Sequence, residues 1–191
     1  MNEEFPALKS EASAIAADAV RTFGPLSPEQ LNWKRQADEW SVAQCFEHLI
    51  KINAAYFPQL RRIEDGAYAP TWRDYLPWLG RFFGSMILRA VQPASQRKFK
   101  AAKHVEPSTS AIDGDIIARF VAHQRKVIQH TTLAGSRDLS AIVVTSAVAP
   151  VAFYSALEMF KILVAHERRH MAQAERVTNA DGFPKRAVRD S

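Results

Sequence analysis

The chain has 191 residues, 47% of them hydrophobic and 24% charged, with 25 lysines and arginines against 20 acids for a net charge of +5. That length supports one domain with a sizeable core, and the single cysteine, Cys45, excludes an internal disulfide and any Cys-x-x-Cys metal or redox motif. The longest apolar stretch, "SAIVVTSAVAPVAFYSALEMF", is broken by Pro150 and polar residues before it reaches the roughly 20 residues of a membrane span. The start, "MNEEFPALKS", carries Glu3 and Glu4 where a secretory signal carries basic residues, so the expected location is the cytoplasm.

From the N-terminus, Leu8, Ala12, Ile15, Ala16, Ala19 and Phe23 share one side of a helix predicted from about Glu3 to Phe23, which "FGPLSP" ends. Ser27 is a good cap and Pro28 suits a first helical position, so a short helix is expected over Pro28 to Lys34. The second long helix opens at Ser41 and runs to about Glu64, with Val42, Phe46, Leu49, Ile52, Phe57 and Leu60 inward and a kink expected at Pro58. The stretch that follows is too apolar for a disordered linker; it is predicted to hold a shorter helix from Pro77 to Val91 and then an extended basic strip.

The third long helix is expected from about Asp113 to Leu133, with Ile116, Ile117, Phe120, Val127 and Ile128 inward. After it, "LSAIVVT" is the best strand candidate, with nothing obvious to pair with. The fourth runs from about Phe153 to Val177, with Leu157, Phe160, Leu163 and Val164 facing in and "TNADGFP" as its stop. The expected architecture is all-α, a four-helix bundle with a long, partly helical excursion between helices two and three. It forms one domain over residues 1–180, with a short basic tail over 181–191.

The last helix carries His166-Glu167-Arg168-Arg169-His170. At about 100° per residue the two histidines lie about 40° apart on one stripe, a turn apart in height, where two imidazoles can share a cation. Gln173 lies on the same stripe, whereas Glu167 points about 100° from His166, nearer the rim, where an arginine would suit it. A zinc peptidase of the His-Glu-x-x-His type needs a third ligand downstream, and this chain has Gln173 in the nearer place and is ending at the farther one. The remaining alternatives are a charged helix face whose histidines are satisfied by hydrogen bonds, or part of a different metal site. His48 sits on the inward line of helix two, and facing helices roughly 8 to 10 Å apart allow its imidazole to meet the other two.

"WSVAQCFEHLIKIN" at 40–53 together with "HERRHMAQAERV" at 166–177 resembles the DinB/YfiT superfamily of metal-binding four-helix-bundle proteins. The resemblance extends to the strip "RKFKAAKHVEPS" and the "DLS" after helix three. It implies an up-down-down-up bundle in which His48, His166 and His170 hold a divalent metal. The superfamily's transferases and isomerases that use low-molecular-weight thiols, and its proposed hydrolases, make a thiol S-transferase or a hydrolase acting on a small molecule the expected activity. Three neutral imidazoles leave such an ion its full charge and open positions, an arrangement suited to activating a thiol or a water. Imidazole ligands suit zinc, nickel or iron about equally. A non-catalytic bundle that binds or senses a metal or ligand is the alternative, and a fourth protein ligand such as Cys45 would favour it.

Other residues divide between function and packing. Cys45, about a turn before His48, is either a ligand or a small buried hydrophobe. Gln173 is a candidate to hold a water or orient a ligand histidine. His123 and His130 share a face of helix three and read as structural. Trp72, Tyr75, Trp78, Phe82 and Phe83 form either a substrate wall, a homodimer contact or local packing. Arg97, Lys98, Lys100 and Lys103 would suit an anionic cofactor or a solvated face; without a recognised fold motif the basic excess is not read as a nucleic-acid surface.

Overall fold

The computed structural model describes residues 4–94, 101–134 and 137–185. Arg97, Lys98 and Lys100 of the basic strip, and the tail from residue 186, lie outside the described residues. Helix starts are written locally. After α1 (Glu4–Phe23), Ser27 caps α2 (Pro28–Asn32) in a reciprocal exchange with Gln30, with Pro28 in the first turn as expected. The same Ser-x-x-Gln pairing of Ser41 with Gln44 opens α3 (Val42–Glu64), which continues through Pro58. Next come a tight helical turn at Trp72–Tyr75, α4 (Pro77–Val91), a second tight turn at Lys103–Val105, and α5 (Ile116–Ala134).

α5 begins three residues later than its periodicity predicts. Gly114 disfavours helix, and the Asp113 carbonyl instead accepts from the Ile116 N–H in a turn. A larger correction follows it. The strand candidate finds a partner: β1 (Val143–Thr145) pairs antiparallel with β2 (Phe153–Ser155), with Val144 opposite Tyr154. Phe153 therefore belongs to a hairpin, and the last helix, α6 (Ala156–Thr178), starts only after Ser155, whose side chain and that of Glu158 cap it. Pro150 interrupts the helical pattern, the Ser146 N–H to Ala152 carbonyl bond closes the turn, and the aromatic residues of β2 suit a pleated, buried surface.

The molecule is mostly helical. α3 packs on α5 and α6, and α1 packs on the same two. One end of the core gathers Ile15, Phe23, Phe46, Phe120 and Met171; the other gathers Tyr56, Leu60, Tyr154, Met159 and Phe160. The excursion folds back onto this body, with α4 lying on β2 and α6. Gly84 makes that approach possible, since a side chain there would meet the Glu158 carboxylate at 2.7 Å. Among the described residues, no helix is long and apolar enough to cross a membrane.

Candidate metal centre

The return of the excursion is docked by one stripe of α3. Gln44 donates to the Ser108 carbonyl at 2.7 Å, Glu47 accepts from the Ser108 hydroxyl at 2.8 Å, and Lys51 donates to the Glu106 carbonyl at 3.0 Å. Between them, His48 Nδ1 lies 2.7 Å from the Val105 carbonyl. A carbonyl only accepts, so Nδ1 carries the hydrogen and Nε2 keeps its lone pair, the tautomer a metal ligand needs. The spacing i, i+3, i+4, i+7 that brings these four side chains onto one face thus also fixes the orientation of the ring.

On α6, His166 and His170 stand a turn apart with their Nε2 atoms 3.1 Å from each other. The His48 ring centroid lies 5.2 Å from that of His166 and 4.8 Å from that of His170. One ligand nitrogen from each of the three falls within 4.8 Å of the others. Trp40 closes the group on one side, stacked on His170 at 5.6 Å and 20°. The convergence expected from the sequence is therefore present.

The donor set fits a divalent ion. Two nitrogens about 2.1 Å from a shared ion and roughly 90 to 110° apart lie about 3.0 to 3.4 Å from each other, which the His166–His170 separation matches. Burial pushes the His166 imidazole down to about 3, aided by His48 and Arg169. It holds His170 well below its ordinary value too, with His166, His48 and Arg169 acting in the same direction and Gln173 against it. His48 is lowered by burial, with the Val105 carbonyl opposing. All three are neutral near pH 7, as metal ligands would have to be. The Nδ1 atoms of His166 and His170 are also buried without a hydrogen-bond partner among the described residues, so this is a polar cluster the protein leaves incompletely satisfied.

The cluster stands on the wall of a cleft of about 1760 Å³, bordered by α4 and the segment around 101–105. Tyr56 and Tyr154 line it further along, their hydroxyls 2.6 Å apart. The arginines Arg81, Arg89, Arg169 and Arg176 also line it. Sequence reasoning missed both sets. Tyr56 carried a signal, two turns beyond His48 on the same stripe, but the partner on β2 did not. Gln173 lines the cleft beside His170, as its position on the histidine stripe suggested.

Three other expectations divide. Cys45 is not in the imidazole group; it packs in the core with Val42, Phe46 and Leu49, and burial pushes its thiol up to about 12. Glu167 is not near the rim: it is 1% exposed and accepts from Asn53 at 2.6 Å and Gln124 at 2.7 Å. α6 is packed on several sides, so the direction 100° from His166 is the bundle interior and the histidine stripe faces the cleft. Burial pushes the Glu167 carboxyl up to about 7 against its two amide donors. Held there, it turns away from the cleft, which removes the peptidase role of a base beside the ion. His123 and His130 stay apart from the site, flanking the Phe57 ring, and His130 pairs with Glu64 at 2.7 Å.

Of the aromatic group, Phe83 packs on Phe153, Trp78 and Phe82 line the cleft, and Trp72 and Tyr75 lie outside it. Lys103, the described member of the basic strip, does not line the cleft. Comparison with curated proteins and with solved structures returned no match. The family model of the DinB superfamily matches residues 13–174, a span that takes in α2 to α5, the hairpin and all three histidines. A span that covers most of the chain shows its membership: this protein belongs to the DinB superfamily.

Proposed function

We propose that His48, His166 and His170 hold a divalent ion, zinc, nickel or iron, and that the protein is a metal-dependent enzyme acting on a small molecule by thiol S-transfer or hydrolysis. One observation carries this reading: three neutral imidazoles converge within 4.8 Å on the wall of an open cleft, while Cys45 and Glu167, the two groups able to close or redirect the site, are turned into the core. A bound divalent ion supplies Lewis acidity, lowering the pKa of a thiol or water beside it. The chain's own part is positional. Val105 orients His48 and Trp40 covers His170.

The fuller assignment follows the family: an up-down-down-up bundle over residues 1–180, a basic tail over 181–191, a cytoplasmic location and a low-molecular-weight thiol as cosubstrate. A homodimer is supported by the rings of Trp72 and Tyr75, 63% and 79% exposed outside the cleft, and light scattering tests it.

Elemental analysis of protein purified under metal-replete conditions should find close to one divalent ion per chain, falling about tenfold or more in His48→Ala. No metal in the wild type overturns the reading. Turnover of a panel of thiols with small electrophiles should exceed that of His170→Ala. Metal binding with no such excess moves the protein to the binding or sensing class.

A further inference from the structure

The cleft has an asymmetry that the metal reading does not use. Among the described residues, five arginines and no lysine line it, against two acids, Asp38 and Glu39. Glu39 is already engaged by Arg35 at 2.7 Å. Arg81, Arg89 and Arg176 have no anionic partner among the described residues. Arg169 donates to the carbonyls of Ala90 at 3.3 Å and Gln92 at 3.1 Å, which places that part of α6 against the C-terminal end of α4. Arg176 stands two turns beyond Arg169 on nearly the same side of α6. Arg89, which precedes Ala90, is at the end of α4 that Arg169 reaches, Arg176 is on the same side of α6 as Arg169, and all three line the cleft.

The other half of the asymmetry is apolar. α4 buries Gly80 and Gly84 against the body and turns the opposite face outward. On that face stand Trp78, Phe82 and Met86 at helical spacing, 68%, 59% and 48% exposed, and all three line the cleft. Soluble proteins rarely leave such a row uncovered without a ligand or partner for it. Arg89 lies near the same angular position as Trp78 and about 16 Å further along the axis. An apolar ridge thus leads to a cationic end over the length of an extended dodecanoate chain. α4 itself carries no acid, so two copies meeting face to face would set arginine against arginine; an anionic ligand meets no such repulsion.

We infer that the cleft binds an anionic amphiphile, its apolar body laid along Trp78, Phe82 and Met86 and its acid group held by Arg89 and Arg176. This names a substrate class for the proposed site and rests on that cleft being the substrate site, but the ion is not what holds the acid group.

Titration calorimetry with dodecanoate and, as a tail-matched neutral control, dodecanol tests it on the full chain. Dodecanoate should bind about tenfold more tightly than dodecanol. Arg89→Ala and Arg176→Ala, both at exposed positions, should each weaken dodecanoate about fivefold or more and leave dodecanol unchanged. Phe82→Ala should weaken both ligands. His48→Ala separates this inference from the metal reading, since dodecanoate binding should persist there within about threefold whatever the metal content. Equal affinity for dodecanol, indifference to both arginine variants, or loss of dodecanoate binding in His48→Ala would overturn the assignment. Binding to phosphatidylglycerol vesicles without binding of free dodecanoate would overturn it in favour of a membrane surface.

Discussion

His123 lies face to face with the Phe57 ring at 4.9 Å and 20°, its Nε2 buried without a partner among the described residues. Burial pushes its imidazole down to about 4, and the charges of Lys126 and His130 add to that. In the unfolded chain the same group titrates near 6.5. Between those values the unfolded state binds a proton that the native state does not, so stability is full above about pH 6.5 and is lost as pH falls toward 4. His123 should contribute on the order of 2 kcal/mol to that loss after allowance for solvent screening. Denaturation curves of wild type and His123→Gln, recorded from pH 7 to pH 4, should converge as the wild type loses this share. Parallel curves would show that the imidazole titrates normally. At this scale spacing and helix face allowed the three candidate ligands to meet, and the family resemblance singled them out. Glu167 was not, because an angle of 100° from a neighbour means rim or interior only once the surrounding helices are placed.

Between elements, the most exacting contact is where α4 crosses the start of α6. Glu158 is committed to the cap at Ser155 and cannot move freely, and its Oε1 would lie 2.7 Å from a side chain at Gly84. Gly84→Ala should therefore cost about 1 to 3 kcal/mol despite the better helix propensity of alanine. Gly80→Ala, whose Cβ would meet the Phe153 ring at an ordinary 3.6 Å, should stay within about 1 kcal/mol of wild type. Urea denaturation of the pair checks this, and an equal loss in both would point to the helix rather than the contact. Ser27 with Pro28, and Ser41, made the starts of α2 and α3 readable within a residue. The start of α6 was misread because β2 continues an apolar pattern, and period alone does not separate a short buried strand from the first turn of a helix.

For the whole molecule, an ion held as proposed by residues from α3 and α6 would bind the folded state and not the unfolded chain. At free metal about 100-fold above its dissociation constant, that adds about 2.7 kcal/mol, or roughly 5 to 10 °C in Tm for a chain of this size. Thermal unfolding should show this rise on metal addition and its reversal by a chelator, and His48→Ala should respond to neither. An unchanged wild-type Tm under saturating metal would mean that the three imidazoles bind no ion strongly in the native state.

The sequence by itself determined what is local and periodic: where the long helices run, that Ser27 and Ser41 open two of the helices, that His166 and His170 share a stripe, and that His48 lies on the inward line of its own helix. Those features depend on neighbours within a few residues, and each residue advances the helix by a fixed angle. Only the tertiary structure decided what depends on distant segments. It supplied the pairing of β1 with β2, the Val105 carbonyl that orients His48, the burial of Glu167 between Asn53 and Gln124, and the cleft with its arginines. Each of these joins residues tens of positions apart, and whether they meet is settled by packing, which no short stretch encodes.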